Sequence, residues 1–359
     1  GWHKPRLAPR HALSMLGGTT DVGETLTAKV GRDLVTNGAV TTGQNFVVTV
    51  GNNLTTNETV TAGSDFTANV GNNVTTNNIV TTGGNLVMKV TNDLTAHAAV
   101  LSHGGATLDA QNVKLSADLM SDKNLTITAK NNIFTKEGAN LSTKSDGRLK
   151  AHTADLGGDI RADGTLTIET DEQLTAKNIT AGNATLKAGA ELSAKSVNVG
   201  GNADITAGSN LTANDVSVGG NLNAKAQNIR VSNVTGKGNA VLTADKNVTL
   251  AGAFSAKNNA VLTAGETATL GGKTNVGETL TANVGRDFVT NGAVTTGKEL
   301  VANVGNDLAM NDLVSAGGSA SLTVGRNATL GGTLTTGGNF TVNVAHDLTV
   351  NDAVTTGAD

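Results

Sequence analysis

The internal repeat of this chain is clearest in three consecutive stretches: TTGQNFVVTVGNNLTTNETV at Thr41–Val60, TAGSDFTANVGNNVTTNNIV at Thr61–Val80 and TTGGNLVMKVTNDLTAHAAV at Thr81–Val100. When the three are aligned, glycine, large apolar and valine positions coincide from one stretch to the next. A fixed period of about 20 residues is typical of a solenoid built from many similar units.

Within each repeat the apolar residues alternate with polar ones. In LTAKV at Leu26–Val30, leucine, alanine and valine alternate with Thr27 and Lys29. Such alternation predicts a half-buried β-strand, and valine and threonine favour strands. Clusters such as Gly51–Asn53 separate the strands, because Gly and Asn tolerate the backbone angles of turns. No proline occurs after Pro9, so none removes a ladder hydrogen bond from the repeats.

One such unit, with two or three short strands, cannot bury its own inner face, but stacked units can. We therefore predict an all-β fold, a right-handed parallel β-helix, with the hand taken from the general crossover rule. Asparagines at the corners should form hydrogen-bonded ladders. About 17 coils at about 4.8 Å each would give a rod on the order of 80 Å long. A β-propeller is the rival fold, but its blades need about 40 residues each and more aromatic side chains.

The repeat array is predicted to cover residues 17–359, with residues 103–190 less regular. Residues 1–16 do not repeat, and we expect them to be a disordered basic leader. Two distant blocks, Gly17–Gly43 and Gly271–Gly297, are identical at 23 of 27 positions. Such closeness indicates duplication of a group of coils rather than a single catalytic fold.

Composition excludes several classes of protein. The chain has 359 residues, a formal net charge of −4, 2% aromatic residues and no cysteine. It therefore has no disulfide and no cysteine-based zinc site. Its charges are spread along the sequence, so no basic stripe indicates a nucleic-acid partner. No apolar window approaches the roughly 18 residues expected of a membrane span, so no membrane insertion is predicted.

Several recurring phrases resemble the haemagglutinin repeats of filamentous haemagglutinins and of contact-dependent growth inhibition proteins: LTAKVGRDL, LVANVGNDL, ITAGSNLTA, VLTADKNVTL and LTVGRNATL. Both are bacterial exoproteins of the two-partner secretion type. The resemblance implies a secreted, surface-displayed adhesin or toxin-delivery protein with an outer-membrane secretion partner and a receptor on a host or neighbouring cell. Neither proline follows asparagine, and the repeats run to Thr356. We therefore expect an internal stalk segment, a monomeric rod with no catalysis of its own.

Few residues suggest chemistry. Asp155, Asp159 and Asp163 are spaced by four, but they lack the ligand pattern of a calcium loop and are interpreted as solvated turn aspartates. His97 and His103 lie six apart and form no close ligand pair on one strand. No serine sits in a G-x-S-x-G elbow. The sequence therefore predicts no catalytic, cofactor-binding or metal site.

Two alternatives remain open at this point. A carbohydrate-acting β-helix enzyme of the pectin-lyase type would need a cleft lined by several carboxylates. An ice-binding β-helix would need a flat, regular threonine array. The chain holds these Thr-x-Thr pairs: Thr25/Thr27, Thr126/Thr128, Thr165/Thr167, Thr279/Thr281 and Thr333/Thr335. We interpret them as polar residues on exposed strand positions.

Overall fold

The computed structural model describes residues 14–357, and every regular element among these residues is a β-strand. The strands pair in parallel with their equivalents one coil away, which makes a β-solenoid of about 17 turns with coils about 20 residues apart. The predicted fold class is thus confirmed. The chain divides into two compact units, the first ending at Ala181 and the second beginning at Gly182.

The first unit contains β1 (Ser14–Leu16), β2 (Thr20–Val22), β3 (Leu26–Val30), β4 (Leu34–Thr36), β5 (Val40–Thr42), β6 (Phe46–Val50), β7 (Leu54–Thr56), β8 (Val60–Ala62), β9 (Phe66–Val70), β10 (Val74–Thr76), β11 (Val80–Thr82), β12 (Leu86–Val90), β13 (Asp93–Ala96), β14 (Val100–Ser102), β15 (Ala106–Leu115), β16 (Leu119–Ser121), β17 (Leu125–Thr135), β18 (Leu141–Thr143), β19 (Gly147–Ala151), β20 (Thr153–Leu156), β21 (Ile160–Thr170) and the start of β22 (Leu174–Ala188).

The second unit contains the end of β22 and then β23 (Leu192–Val199), β24 (Ala203–Ala207), β25 (Asn210–Val218), β26 (Leu222–Gly236), β27 (Ala240–Leu250), β28 (Phe254–Ala256), β29 (Ala260–Ala264), β30 (Ala268–Leu270), β31 (Thr274–Val276), β32 (Leu280–Val284), β33 (Phe288–Thr290), β34 (Val294–Thr296), β35 (Leu300–Val304), β36 (Leu308–Met310), β37 (Val314–Ala316), β38 (Ala320–Val324), β39 (Ala328–Leu330), β40 (Leu334–Thr336), β41 (Phe340–Val344), β42 (Leu348–Val350) and β43 (Val354–Thr356).

Each regular coil supplies three strands, and each strand stacks on its equivalent to form one of three faces. The first face stacks the five-residue strands β3, β6, β9 and β12. The second face stacks β4, β7 and β10, and the third face stacks β5, β8 and β11. Short turns join the faces, so each coil encloses a narrow interior.

The interior is filled by columns of identical or similar apolar side chains. Val70 pairs in register with Val50 below it and Val90 above it, and all three are buried. Thr27, on the outer side of β3, is exposed. The predicted inside and outside positions are therefore confirmed at these residues. Phe46 and Phe66 stack with ring centroids 4.8 Å apart, which is the spacing of neighbouring strands in a sheet.

Buried hydroxyls are anchored to the corners that follow the third face. The Thr82 Oγ1 donates to the carbonyl oxygen of Gly84 at 2.9 Å, and the Ser102 Oγ donates to that of Gly105 at 3.0 Å. Both carbonyl oxygens also accept a backbone N–H from a neighbouring coil, so the hydroxyls add a second bond to each. In the second unit Thr336 makes the same contact with its corner. These buried hydroxyls are therefore satisfied, as burial requires.

Side-chain ladders hold the corners in register from coil to coil. The backbone N–H of Asn53 donates to the Asp33 carboxylate at 3.0 Å, that of Asn73 to the Asn53 side chain at 3.2 Å, and that of Asp93 to the Asn73 side chain at 3.0 Å. The expected asparagine ladders are therefore present, with aspartates in some rungs. A slipped coil would break the whole series, so the ladder fixes register.

Coil length varies in the middle of the chain. Leu119 pairs with Val100 in the preceding coil and with Leu141 in the following coil. The first of these intervals is one residue shorter than the regular period, and the second is two residues longer. The longer coil contains a turn at Gly138, whose φ of 79° suits glycine.

The solenoid also includes the last residues of the segment assigned to the leader. Ser14–Leu16 form β1 and pair with Leu34–Thr36, because Ser14 and Leu16 continue the alternating pattern into a coil. The predicted disorder of the preceding residues, 1–13, concerns positions outside the described part of the chain.

Candidate functional site

The third face of the regular coils presents small residues to the outside. Its outward strand position and the following corner position read Thr41 and Gly43, Thr61 and Gly63, Thr81 and Gly83. A Cβ atom built on Gly63 would lie 2.3 Å from the carbonyl oxygen of Gly43. That distance is far inside van der Waals contact, so a side chain at Gly63 would force the backbone to move.

Between residues 101 and 163 the same positions carry large or charged side chains, with the exception of Ser142. The pairing of β14, β16, β18 and β21 keeps them in two straight columns. The strand column is Leu101, Met120, Ser142 and Arg161, and the corner column is His103, Asp122, Lys144 and Asp163. We call these eight residues the charged groove.

Ion pairs connect neighbouring side chains within the charged groove. The Asp122 carboxylate lies 2.7 Å from the Lys144 Nζ and 3.0 Å from the His103 Nδ1. The Arg161 Nη2 lies 2.7 Å from an Asp163 oxygen. Asp122 thus joins three successive coils by its two oxygens.

These contacts favour the ionised form of Asp122. Its hydrogen bond with Lys144, and next that with His103, holds the pKa of the Asp122 carboxyl below its usual value. A general acid needs a proton to give near the working pH. The lowered pKa makes Asp122 less suited to this role, and its carboxylate is suited to accepting hydrogen bonds or pairing with a cation.

In the strand column of the charged groove, one small side chain lies between two long ones. Ser142 is half-buried and lies in register between Met120 and Arg161. Met120 points outward and is 42% exposed, whereas the inward Met88 is 1% exposed. All eight residues of the charged groove line a space of about 450 Å³.

The aspartates singled out in the sequence lie in three different places. Asp155 is exposed in β20 on the second face, Asp159 lies in the turn before β21, and Asp163 lies within β21 in the charged groove. The interpretation as turn residues is therefore wrong for Asp155 and Asp163, because both lie within strands. Asp159 accepts a hydrogen bond from the Asn178 side chain at 2.8 Å and belongs to a corner ladder.

The two histidines occupy different corners. His97 follows β13 on the second face, and His103 follows β14 on the third face. Within residues 14–357, no group of three or more histidine, aspartate or glutamate side chains is placed to hold a metal ion.

The outward threonines of the first face do not form a continuous array. The column through β3, β6, β9 and β12 reads Thr27, Val47, Thr67 and Val87. Valine thus interrupts the hydroxyls at every second coil of this column.

Asp122, Lys144 and Arg161 were not recognised from the sequence as members of one surface. The signal was present, because the corner position after each third-face strand changes from glycine to charged residues at this point. It was hidden by the unequal coils, since the interval from Asp122 to Lys144 is two residues longer than the regular period.

Comparisons with family models, curated proteins and solved structures find no match to this chain. Among residues 14–357, no helix is long and apolar enough to cross a membrane.

Proposed function

We propose that this chain is a stalk segment of a secreted, surface-displayed bacterial exoprotein, either an adhesin or a contact-dependent toxin-delivery protein. In this role it has no catalysis of its own. It spaces an active region away from the cell that displays it. An outer-membrane secretion partner would export the exoprotein, and a receptor on a host or neighbouring cell would meet it.

The observation that carries the proposal is the in-register stacking of nearly interchangeable coils. The blocks Gly17–Gly43 and Gly271–Gly297 differ at only four positions and supply equivalent strands, such as Leu26–Val30 and Leu280–Val284. A catalytic centre needs one unique constellation of residues, whereas a spacer needs many equal units. Repetition of this kind favours a role that depends on coil number.

The chemistry of the charged groove also favours a role without catalysis. Asp122 is paired with Lys144 and His103, and Asp163 is paired with Arg161. A carbohydrate-acting enzyme would need one carboxylic acid whose pKa is raised so that it can protonate the leaving group. The lowered pKa of Asp122 is opposite to that requirement.

Deletion of one whole coil tests the proposal. Removing Thr61–Val80 joins Val60 to Thr81, and because Val60 and Val80 are register partners the joined strand repeats the original one. We expect folding, export and surface display to persist, with a loss of about 4.8 Å of length. The readouts are circular dichroism of the purified chain and, in the full exoprotein, surface display with adhesion or target-cell inhibition.

Deletion of Thr61–Val70 is the matched control, because removal of half a coil places the strands that follow out of register. We expect this variant to misfold and to fail in display. Loss of adhesion or inhibition in the whole-coil deletion, with display intact, would show that the removed coil holds a specific binding site and would overturn the spacer role.

A further inference from the structure

The charged groove differs from the equivalent surface of the regular coils in the second unit. There, the outward and corner positions of β34, β37 and β40 read Thr295 and Gly297, Ser315 and Gly317, Thr335 and Gly337. Two other corners of that unit carry lysine, Lys237 and Lys257. In the groove, by contrast, charges of both signs follow one another over successive coils, and a spacer does not require them there.

The corner column of the groove has alternating charge character along the solenoid. Asp122 is negative, Lys144 is positive and Asp163 is negative, and His103 at the end of the column already contacts a carboxylate, with one residue per coil. When the corner column of a second copy runs in the opposite direction, each of its carboxylates faces a lysine or a histidine of the first copy. We propose that the charged groove is a docking surface for a second copy of this chain, bound antiparallel.

The symmetry of this contact follows from the spacing. A two-fold axis parallel to the strands, placed between the coil of Asp122 and the coil of Lys144, reverses the order of coils and keeps each column facing itself. Asp122 then faces Lys144 of the second copy, and His103 faces its Asp163. Each contact occurs twice, as an isologous interface requires.

The same two-fold rotation also places large side chains of one strand column opposite small or flexible side chains of the other. Met120 faces Ser142 of the second copy, so the exposed methionine enters the depression above the small serine. Leu101 faces Arg161 of the second copy and covers the stem of that side chain. Long residues therefore meet short or flexible ones along the column.

A parallel pairing of the corner column with itself would oppose like charges, Asp122 against Asp122 and Lys144 against Lys144. Like charges in contact are strongly unfavourable in an interface. Charge therefore favours the antiparallel arrangement. Eight residues on each side form less than the roughly 800 Å² per partner of a stable interface, so the dimer is weak and forms at high local concentration. This proposal departs from the monomer expected from the sequence.

Charge reversal of the full chain tests the interface. In sedimentation equilibrium, the unmodified chain should self-associate reversibly, and Asp122→Lys or Lys144→Asp alone should weaken self-association by about tenfold or more. An equimolar mixture of the two variants should recover association. One variant carries lysine at both positions 122 and 144 and the other carries aspartate at both, so a Lys–Asp pair forms on each side of the axis. A defect in folding could not produce this recovery.

The absence of cysteine from the chain allows a direct test of orientation. Chains carrying Met120→Cys, mixed with chains carrying Ser142→Cys, should form a disulfide-linked heterodimer under mild oxidation. A matched mixture with Thr295→Cys in place of Ser142→Cys should not. The proposal is overturned if the unmodified chain stays monomeric at every concentration reached. It is also overturned if single charge reversals leave association unchanged or if Met120→Cys links to a position other than Ser142→Cys.

Discussion

The third face has two versions, and they share an interior while differing outside. In the regular coils of β5, β8 and β11 and in the charged coils of β14, β16 and β18, the inward residues are buried valine, leucine, alanine, serine or threonine. Outward, threonine and stacked glycine give way to the charged groove. The comparison shows that the inner columns maintain the solenoid, while the outer surface can change wherever corner glycines are not stacked against each other.

The largest expected effect concerns the shared interior. Val70→Asp in a regular coil and Ile127→Asp in an irregular one should each lower stability by more than about 4 kcal/mol, because each places an unpaired charge in a dry column. Both side chains are buried. Thermal unfolding followed by circular dichroism measures the effect, with the exposed Thr27→Asp as the mild control. If either buried variant has the same melting temperature as Thr27→Asp, the two regions do not share one kind of core.

A smaller effect should separate the two kinds of corner. Gly63→Ala should cost about 3 kcal/mol, since the added Cβ meets the Gly43 carbonyl oxygen at 2.3 Å and backbone must move. At the equivalent corner of the charged coils, Lys144→Ala removes a side chain that is 70% exposed, and we expect a change within about 0.5 kcal/mol. Gly31→Ala is the control, because nothing lies within 4 Å of its added Cβ. Equal melting temperatures for Gly63→Ala and Gly31→Ala would contradict the close-stacked corner.

The smallest effect compares buried hydroxyls of two faces. Thr82→Val removes the bond to the Gly84 carbonyl oxygen and should cost about 1 kcal/mol. Thr56 on the second face is also buried, but its Oγ1 makes no hydrogen bond with protein atoms in the described residues. Thr56→Val should therefore be neutral or stabilising by up to about 1 kcal/mol. Chemical denaturation of the two variants measures the difference in their free energies of unfolding. A larger loss of stability for Thr56→Val than for Thr82→Val would contradict the stabilising role assigned to the hydrogen-bonded hydroxyls of the third face.

The regular coils were predictable because the same physical constraint recurs in each of them. Alternation in Leu26–Val30 separates inside from outside, and the regular period alone aligns Val50, Val70 and Val90. The same alternation of apolar and polar residues occurs in many repeats, so a chance match in one repeat has little effect on the prediction. The leader boundary was harder to place from sequence, since a single strand such as Ser14–Leu16 has only its pairing with Leu34–Thr36 to identify it.

The sequence by itself determined that this protein is a parallel solenoid, which positions are buried and where asparagine ladders stand at the corners. The buried positions follow from the alternation of apolar and polar residues, and the solenoid and its ladders follow from the repeat period that an alignment of the repeats displays. Only the tertiary structure decided that Asp122 lies against Lys144 and that Met120 and Arg161 flank Ser142. Those contacts depend on a shortened coil and a lengthened coil coming into register. Register across unequal coils is set by the packing of buried columns and the hydrogen bonds between strands, which no single repeat encodes.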